Sequence, residues 1–438
     1  MAKHRADDRV TNDQSPHPQL RVRAMQIPAL PRDLISLAPS ADSFSCWLGD
    51  RIEIVGWGSA VRLEFDGRHA MREAARVWEA LIAAAEVQVT ELDAPELVGG
   101  KPSEPVVQWP IALGSFGFAA STAGVLLVPE FAAVRVHADG GDQSWLVTAA
   151  ADTKPPKPQA VVEQKTKSIK SPSGLWTDPG RMTQSKWKDA VRRLVVMLKS
   201  GAASKVVLTR DIVVSASKPI DQRYLAKQLE KRYGTTWVYA VEGLVGATPE
   251  MLASLDKEFF ASRVLAGTAA PGEGETLLDS MKNRTEHHLA VESVARAIGS
   301  LSETMNVPTK PELLDLPNVT HLATEVTAIV RDASVLDIVD ALHPTAAVCG
   351  TPTNLAFDIL EGIEGTQRGR YTGPVGWVDG AGDGEFGIAL RCGQLSDDRT
   401  SIRVFAGGGI MPDSNPDMEL AETRAKMRPL LEALGVEP

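Results

Sequence analysis

The sequence predicts an α+β fold, and three observations support this. Short apolar runs are spaced like strands, turns of a few residues join them, and amphipathic helical segments come in separate blocks. Strands and helices do not alternate regularly, as they would in a doubly wound sheet, and no internal repeat is visible. With 438 residues, of which 43% are apolar and 23% charged, the chain is long enough to bury a sizeable core.

The first third of the chain begins with a polar segment, residues 1–22, which we predict to be a disordered tail. Residues 23–150 form the N-terminal part of the α+β fold. Runs such as "RIEIVGW" and "AGVLLVPEFAAVRVHA" predict strands there, and the spacing in "HAMREAARVWEALIAAA" predicts a helix. Residues 151–174 hold four prolines and several lysines without periodicity, which predicts a connection across the surface.

Residues 175–438 are predicted to be the catalytic region. The segment "TQSKWKDAVRRLVVMLKSG" has a capping threonine and a terminal glycine, which predict a helix, and two more helical blocks occupy about 275–305 and 334–343. Strand-like runs are "SKVVLTRDIVVSA", "TWVYAVEG", "MLASL" and "FFASRVLAGT". The runs "YTGPVGWV", "EFGIALRCGQL" and "SIRVFAGGGI", separated by the short turns "DGAGDG" and "SDDRT", predict an antiparallel meander.

Composition excludes several classes of function. The net charge is −10 and no basic stripe carries interleaved aromatic residues, which argues against nucleic acid as a partner. Cys46, Cys349 and Cys392 lack CxxC spacing, so we expect a reducing compartment and no disulfide framework. The N-terminus has no apolar signal segment, and no run approaches the ~20 apolar residues of a membrane span. A cytoplasmic protein without a membrane partner is expected.

Glutamates on two predicted helices suggest a metal site. The apolar stripe of "SMKNRTEHHLAVESVARAIGSL" extends back to Glu286, and Met418 and Ala421 border Glu422 in "SNPDMELAETRAKM". A carboxylate on an inward helix face is costly unless it is paired or bound to metal, and two of them suit Mg²⁺. Alternatively, Glu419 and Glu422 only favour a helix N-terminus through its dipole.

Other polar residues are candidates for chemistry, each with a simpler alternative. Lys205 begins an apolar strand, where it is either a general base with a lowered pKa or a solvated edge charge. Glu250 lies in a turn beside a proline, where it either takes part in the chemistry of the site or only helps to form the turn. Tyr371 and Arg391 could clamp a carboxylate, although Arg391 could equally be a surface residue. Glycines 407–409 either let backbone N–H groups approach a ligand or form a tight strand end.

The order of the motifs is more specific than any one of them. From residue 185 to residue 434 the chain contains "SKVVLTR", "GATPEML", "LAGTAAPG", "KNRTEHHL", "VTHLATEV", "LHPTAAVCGTP", "YTGPVGW", "FAGGGIM" and "SNPDMELAETRAKM". In this order they closely resemble the chorismate-utilising enzymes; the first 150 residues match only loosely. That family includes isochorismate synthases, salicylate synthases and the large subunits of anthranilate and aminodeoxychorismate synthases. The resemblance implies one large chorismate-binding domain, with two antiparallel sheets packed face to face, helices outside and the active site between the sheets.

The resemblance also implies roles for individual residues. Glu286 and Glu422 match the Mg²⁺-binding glutamates, and Glu419 matches a supporting position that acts through water. Lys205 matches the general base and Glu250 the general acid. The positions that match substrate-binding residues are Gly267, Thr268, His321, His343, Tyr371, Arg391, Gly407, Gly409 and Lys426.

The nucleophile distinguishes the members of the family. Ammonia-using members carry a different residue where Lys205 stands, and some have a reactive lysine in "PIKGT", which here reads "VLAGT". The resemblance therefore implies water as nucleophile and isochorismate as product, for menaquinone or siderophore synthesis, by a monomer without a glutaminase subunit. One alternative is a salicylate synthase, which then eliminates pyruvate, although "LHPTAAV" in place of "LFPS" favours the first reading. Another is a non-catalytic chorismate-binding subunit acting through a partner.

Two positions depart from the family pattern. Asn283 stands where many members have an acidic residue, so a supporting carboxylate is missing near Glu286. Cys349 replaces a small residue and is interpreted as packing rather than chemistry.

Overall fold

The computed structural model describes residues 18–91, 107–138, 141–364 and 368–437. Most of the predicted tail, residues 1–17, lies outside this range. The first strand begins at Leu20, so the last three residues of the predicted tail belong to a sheet.

The described residues form nine α-helices and a 3₁₀ turn at Ile35–Leu37. The helices are α1 (Ala70–Ala83), α2 (Ala160–Glu163), α3 (Gln184–Lys199), α4 (Gln222–Arg232), α5 (Gly274–Asp279), α6 (Met281–Ile298), α7 (Val335–Leu342), α8 (Thr353–Glu364) and α9 (Pro416–Leu434).

The strands fall into two large sheets. In chain order they are β1 (Leu20–Ile27), β2 (Ser45–Leu48), β3 (Ile52–Trp57), β4 (Val61–Phe65), β5 (Glu86–Thr90), β6 (Ala112–Ser115), β7 (Gly124–Val128), β8 (Phe131–Val136), β9 (Gln143–Ala151), β10 (Trp176–Pro179), β11 (Lys205–Ser215), β12 (Trp237–Val241), β13 (Leu244–Thr248), β14 (Met251–Asp256), β15 (Phe259–Ala269), β16 (Ser302–Asn306), β17 (Glu312–Asp315), β18 (Thr320–Val330), β19 (Gly350–Thr351), β20 (Pro374–Val378), β21 (Gly384–Ile388), β22 (Cys392–Leu395) and β23 (Ser401–Ile410).

The first sheet has the order β10-β11-β23-β22-β13-β12-β2-β3-β8-β9-β1-β5, with β19 beside β11. The second has the order β16-β18-β15-β14-β21-β20-β6-β7-β4, with β17 beside β18. All described pairings are antiparallel except that of β1 with β5, which is parallel. The α+β prediction is therefore confirmed, with one parallel pair at the edge of the first sheet.

The two sheets pack face to face around a shared apolar core. Trp47 of the first sheet and Trp377 of the second both donate their indole N–H to the buried carboxylate of Glu385, at 3.0 and 3.2 Å. Helices α1, α6 and α7 pack on the second sheet, and α4 and α9 cover the outer face of the first. Helices outside and sheets inside were what the resemblance implied.

Several helices agree with the sequence prediction and others were not predicted. Thr183 caps α3 by accepting a hydrogen bond from the Lys186 N–H, as its position in the sequence indicated. The predicted block 275–305 divides into α5 and α6, and its end belongs to β16. Helices α4 and α8 were missed. In α4, buried apolar residues at i, i+1 and i+4 are surrounded by charged ones, so its low mean hydropathy obscured the pattern.

The predicted meander is divided between the two sheets. Strands β20 and β21 form a hairpin in the second sheet, whereas β22 and β23 pair in the first. The chain crosses between sheets within "EFGIALRCGQL", where Arg391 has a φ of 50°. This crossing places Arg391 between the sheets.

The proline- and lysine-rich connection, 151–174, is fixed to the surface of the domain. The Lys167 N–H donates to the Pro39 carbonyl at 2.8 Å, and Trp57 donates its indole N–H to Gln164 at 3.2 Å. The connection contains the short helix α2, and the end of β9 reaches Ala151.

The three cysteines are free and buried, as expected for a chain without disulfides. Cys349 lies in the main apolar core, where burial raises the pKa of its thiol to about 12, in agreement with a packing role. Among the described residues, none of the helices combines the length and apolar character of a membrane span.

Candidate active site

A cavity lies between the two sheets, and most of the residues predicted from the motifs line it. Strands β15, β18 and β23 and helices α6 and α9 surround it, together with the turn before β14 and the sheet crossing before β22. The predicted residues that line it are Glu250, Gly267, Thr268, Glu286, His321, Tyr371, Arg391, Gly407, Gly409 and Lys426. Segments separated by up to about 180 residues of chain therefore meet at one place.

Lys205 lies beneath the cavity wall at the first residue of β11. Its side chain is 1% exposed, and its Nζ is 3.0 Å from Glu286 Oε1. Burial alone would raise the pKa of the Glu286 carboxyl. The hydrogen-bonded charge of Lys205, with smaller contributions from Lys426 and Lys282, outweighs burial and holds that pKa below its usual value.

Glycines in β23 make room for these charged groups. A Cβ atom at Gly409 would collide with Glu286 Oε1 and would lie 2.7 Å from Lys205 Cε. A Cβ at Gly408 would lie 3.2 Å from Glu419 Oε2. The triple glycine is therefore needed where β23 passes the carboxylates, and it is more than a tight strand end.

Helix α9 brings Lys426 to the cavity and two glutamates, Glu419 and Glu422, next to Gly408 of β23. It begins after Asn415, which caps the helix by accepting hydrogen bonds from the Asp417 and Met418 N–H groups. Lys426 donates to Glu422 within the helix and to the Gly407 carbonyl at 3.1 Å. Met418 was expected to face inward beside Glu422, but its side chain is 72% exposed, because the inward face of this turn is formed by Glu419.

Glu419 is buried and held by two partners that the sequence analysis missed. Ser414 donates its hydroxyl to Glu419 Oε1 at 2.6 Å, and Lys282 Nζ lies 3.3 Å from the same oxygen. Burial, and then the charge of Glu422, raise the pKa of Glu419 to about 7. Lys282 lies four residues before Glu286 on α6, a helical spacing that could have indicated its inward position.

The three carboxylates suit a divalent cation in the kind of donor they offer. They supply hard oxygen donors from two helices. Burial, and after it the charge of Glu422, raise the pKa of Glu419, and a cation would offset both effects. Here each carboxylate is paired with a lysine instead: Glu286 with Lys205, Glu419 with Lys282 and Glu422 with Lys426. Within the described ranges, no three Asp, Glu, His or Cys side chains are gathered closely enough to hold a metal ion.

Glu250 lies in the turn between β13 and β14, on the cavity wall. Its side chain is buried, and Thr248 Oγ1 accepts a hydrogen bond from its backbone N–H at 3.2 Å. Burial raises the pKa of Glu250 to about 8, although the charges of Lys205, Lys426 and Arg391 oppose the shift. The carboxyl is therefore protonated at neutral pH, as a general acid must be.

His321 fixes the orientation of Arg391. Arg391 Nη2 lies 2.7 Å from His321 Nε2, and His321 Nδ1 is 3.1 Å from the Gly267 carbonyl. Because Nδ1 donates to that carbonyl, Nε2 is free to accept from the guanidinium. Burial, with the charges of Arg391 and Lys426, holds the pKa of His321 well below its usual value and keeps the ring neutral.

Two other substrate-site predictions have different outcomes. Tyr371 stacks on Phe405 with ring centroids 5.0 Å apart and lines the cavity beside Arg391. His343, in contrast, is not brought into the cavity. Its Nε2 lies 3.2 Å from the Phe118 carbonyl and its ring packs edge-on against the Phe118 ring.

Helix α6 is anchored by a histidine that the sequence analysis did not single out. His287, in the segment "TEHH", is buried, with Nε2 2.7 Å from Thr324 Oγ1 and Nδ1 3.3 Å from the Ala266 carbonyl. It joins α6 to β15 and β18 and so holds Glu286 at the cavity. Asn283, in the first turn of α6, packs beside Gly267, whose φ of 78° favours glycine.

Comparison with known proteins points to the same family as the motifs that line the cavity. The family model described as chorismate binding enzyme matches residues 41–435. An isochorismate synthase of Bacillus subtilis is 35% identical over 272 residues, which cover 57% of this chain and 68% of that protein. The salicylate biosynthesis isochorismate synthase of Pseudomonas aeruginosa is 31% identical over 413 residues, covering 89% of this chain and 84% of that protein.

A solved structure supports the same fold. The menaquinone-specific isochorismate synthase of Escherichia coli superposes with a TM-score of 0.75 at 22% identity, covering 95% of each chain. Because the family model spans nearly the whole chain and the relatives agree with it, the chain belongs to the chorismate-binding enzyme family.

Proposed function

We propose that this protein is an isochorismate synthase, which interconverts chorismate and isochorismate by adding water at C2 and releasing the hydroxyl at C4. The observation that carries the proposal is Lys205, a lysine that is 1% exposed and lies beneath the cavity wall, with Glu286 as its only ion-pair partner among the described residues. A buried amine suits proton removal from water, and no lysine stands at Ala266, where some ammonia-using relatives have one.

Two residues carry the protons. In this step Lys205 acts as the neutral amine: having given up its ammonium proton, its Nζ accepts a proton from the water that attacks C2, and the ring double bonds shift toward C4. Glu250, protonated because burial raises its pKa to about 8, donates its proton to the C4 oxygen as that bond breaks. Lys205 takes up one proton and Glu250 gives up one, and the C4 hydroxyl leaves as water. In the reverse direction the two residues exchange roles.

Other residues bind and orient the substrate. Arg391, oriented by His321, with Tyr371 and the backbone of β23 at Gly407 and Gly409, would bind the enolpyruvyl carboxylate. Glu286 and Glu422 would hold Mg²⁺, with Glu419 supporting through water. When bound, the ion supplies positive charge that holds and polarises the ring carboxylate. The lysine partners of these glutamates would then be released to other contacts.

The family context supports the pathway assignment. Relatives are named for menaquinone synthesis and for salicylate biosynthesis, so the product would enter menaquinone or siderophore synthesis. Use of water removes the need for a glutaminase subunit. The expectations of a monomer and of a cytoplasmic location remain predictions.

The test is product analysis with purified protein, chorismate and Mg²⁺. Chromatography should show chorismate and isochorismate approaching a mixture from either side, and a lactate-dehydrogenase coupled assay should show no net pyruvate. Pyruvate formed in step with fluorescent salicylate would support a salicylate synthase instead. No conversion in either direction, by a folded protein that binds chorismate, would support the non-catalytic subunit.

A further inference from the structure

A second cavity lies on the α4 side of the first sheet, remote from the chorismate site. Its volume is about 610 Å³, and it shares no lining residue with the catalytic cavity. Three lysines line it: Lys167 and Lys170 from the proline- and lysine-rich connection, and Lys218 from the segment before α4. We call them the cavity lysines. Arg399, in the turn between β22 and β23, completes the basic wall.

The wall that carries the cavity lysines is fixed rather than loose. The backbone of Lys167 donates to the Pro39 carbonyl at 2.8 Å, and its carbonyl accepts from Arg223 Nη1 at 3.3 Å. Further along, Ser217 donates its hydroxyl to the Ser173 carbonyl at 3.0 Å. This part of the connection is held at Lys167 and at Ser173, so its lysine side chains are presented from an ordered backbone.

The lining carries a surplus of positive charge. Each of the two lining aspartates is used by an arginine: Asp221 accepts from Arg223 Nε and Nη2 at 3.0 and 2.7 Å, and Asp42 accepts from Arg399 Nη2. The cavity lysines have no ion-pair partner within the described part of the chain. The whole protein has a net charge of −10, so this local surplus opposes the overall sign.

Besides the positive charge of the lysines, the lining contains a hydrogen-bond donor with a fixed geometry, the guanidinium of Arg399. Its Nη1 is buried and has no hydrogen-bond partner in the described residues. A buried donor without a partner is costly, so the guanidinium keeps hydrogen-bonding capacity that the described residues leave unused. Ser168 and Ser171 contribute hydroxyl groups to the same lining.

We propose that this cavity binds a small phosphorylated molecule. A phosphate group carries more than one negative charge and three acceptor oxygens, which match lysine ammonium groups, a guanidinium N–H and hydroxyl donors together. The concave lining of loops and a turn favours a compact ligand over an extended acidic peptide. The site is separate from the chorismate chemistry, so it does not depend on the proposed activity.

The experiment uses the full chain and calorimetric titration with inorganic pyrophosphate at constant ionic strength. The test variant is Lys167→Gln/Lys170→Gln/Lys218→Gln, which changes only exposed side chains. The matched control is Lys154→Gln/Lys157→Gln/Lys165→Gln, three exposed lysines of the same connection that lie outside the cavity. Both variants lose three positive charges, so the comparison separates a site from general electrostatic attraction. Thermal unfolding confirms that each variant is folded.

The wild type should bind pyrophosphate saturably at one site per chain. The test variant should weaken the affinity by about tenfold or more, and the control by less than about twofold. The single variant Lys218→Gln, outside the connection, should weaken binding in the same direction. Absence of saturable binding to the wild type, or an equal loss in both triple variants, would overturn the proposal. Binding of tetraglutamate as tight as that of pyrophosphate would overturn the phosphate class.

Discussion

Two buried ion pairs lie next to the same strand, β11, and they differ in how completely their hydrogen-bonding groups are used. Arg368 forms a forked pair with Glu364, donating from Nε and Nη2 at 3.0 and 2.8 Å. Its remaining donors reach the carbonyls of Val207 and Val348, and the Thr209 N–H donates to the glutamate. Lys205, at the start of the strand, has one partner, Glu286.

The difference separates a structural pair from the pair that we propose to be reactive. An arginine whose donors are all engaged is held in one position and stays charged, so it joins α8 to the sheet. A lysine with three donors and a single carboxylate partner has capacity left for a water molecule or a substrate. We infer that spare hydrogen-bonding capacity in a buried charge, more than burial alone, marks the reactive group here.

The largest effect is expected from removing the reactive partner. Lys205→Ala should lower kcat by about 10²–10⁴-fold, the range typical of a positioned acid or base, while chorismate binding and folding persist. The measurements are kcat and a chorismate titration. Lys199→Ala, at the exposed end of α3, is the matched control and should retain wild-type activity. A Lys205→Ala enzyme with near-wild-type kcat would place the base elsewhere.

The structural pair should respond in stability. Glu364→Gln leaves the Arg368 charge uncompensated in the core, which should lower the free energy of unfolding by about 3–5 kcal/mol. Glu361→Gln, an exposed position on the same helix, should change it by less than about 0.5 kcal/mol. Denaturant unfolding measures both. If Glu364→Gln were as stable as Glu361→Gln, the distinction between the two pairs would fail.

The next prediction concerns Glu422 and Glu419, two of the carboxylates proposed for the metal site. Glu422→Gln should lower activity by more than about 100-fold and weaken the Mg²⁺ dependence, because it removes a proposed direct ligand. Glu419→Gln should cost about 10–100-fold, as expected for a group that acts through a water or a neighbour. Activity is measured as a function of Mg²⁺ concentration for both variants. Full activity of Glu422→Gln in limiting Mg²⁺ would contradict its assignment.

The smallest expected effect is on pH dependence. The proposed general acid Glu250 would act when protonated. Burial raises its pKa to about 8, so raising the pH through 8 would remove the active form. kcat/KM should therefore fall above about pH 8, approaching tenfold per pH unit, and this limb should reflect the free enzyme. Thermal stability is measured at each pH as a control. A flat profile up to pH 10, in a stable enzyme, would mean that another group donates the proton.

The sequence predicted which residues line the cavity better than it predicted how the chain brings them there. The order of the motifs was enough to bring Glu250, Glu286 and Arg391 to one cavity, because these motifs specify both local structure and residue type. The sheet crossing that positions Arg391 could not be read from "EFGIALRCGQL", since one apolar run fits either a single strand or two. The partners of Glu419, Lys282 and Ser414, depend on the packing of α6 against α9.

Other features could not be predicted because they depend on contacts between distant segments. His343 lies in a motif of the family, yet its ring is held outside the cavity by the carbonyl of Phe118, a residue more than 200 positions earlier. The forked pair of Glu364 and Arg368 has helical i, i+4 spacing, but nothing local indicates that it is buried. The proline- and lysine-rich connection was correctly expected on the surface, but its fixed path and the basic cavity beside it were not.

The most direct test of the proposed chemistry is the source of the C2 hydroxyl. Chorismate is incubated with the enzyme and Mg²⁺ in H₂¹⁸O, and isochorismate is isolated early in the reaction for mass spectrometry. If Lys205 activates water, the isochorismate carries one ¹⁸O atom, and chorismate re-formed by the reverse reaction becomes labelled in turn. Unlabelled isochorismate from wild-type enzyme would show that the hydroxyl moves within the substrate, and would contradict the role assigned to Lys205.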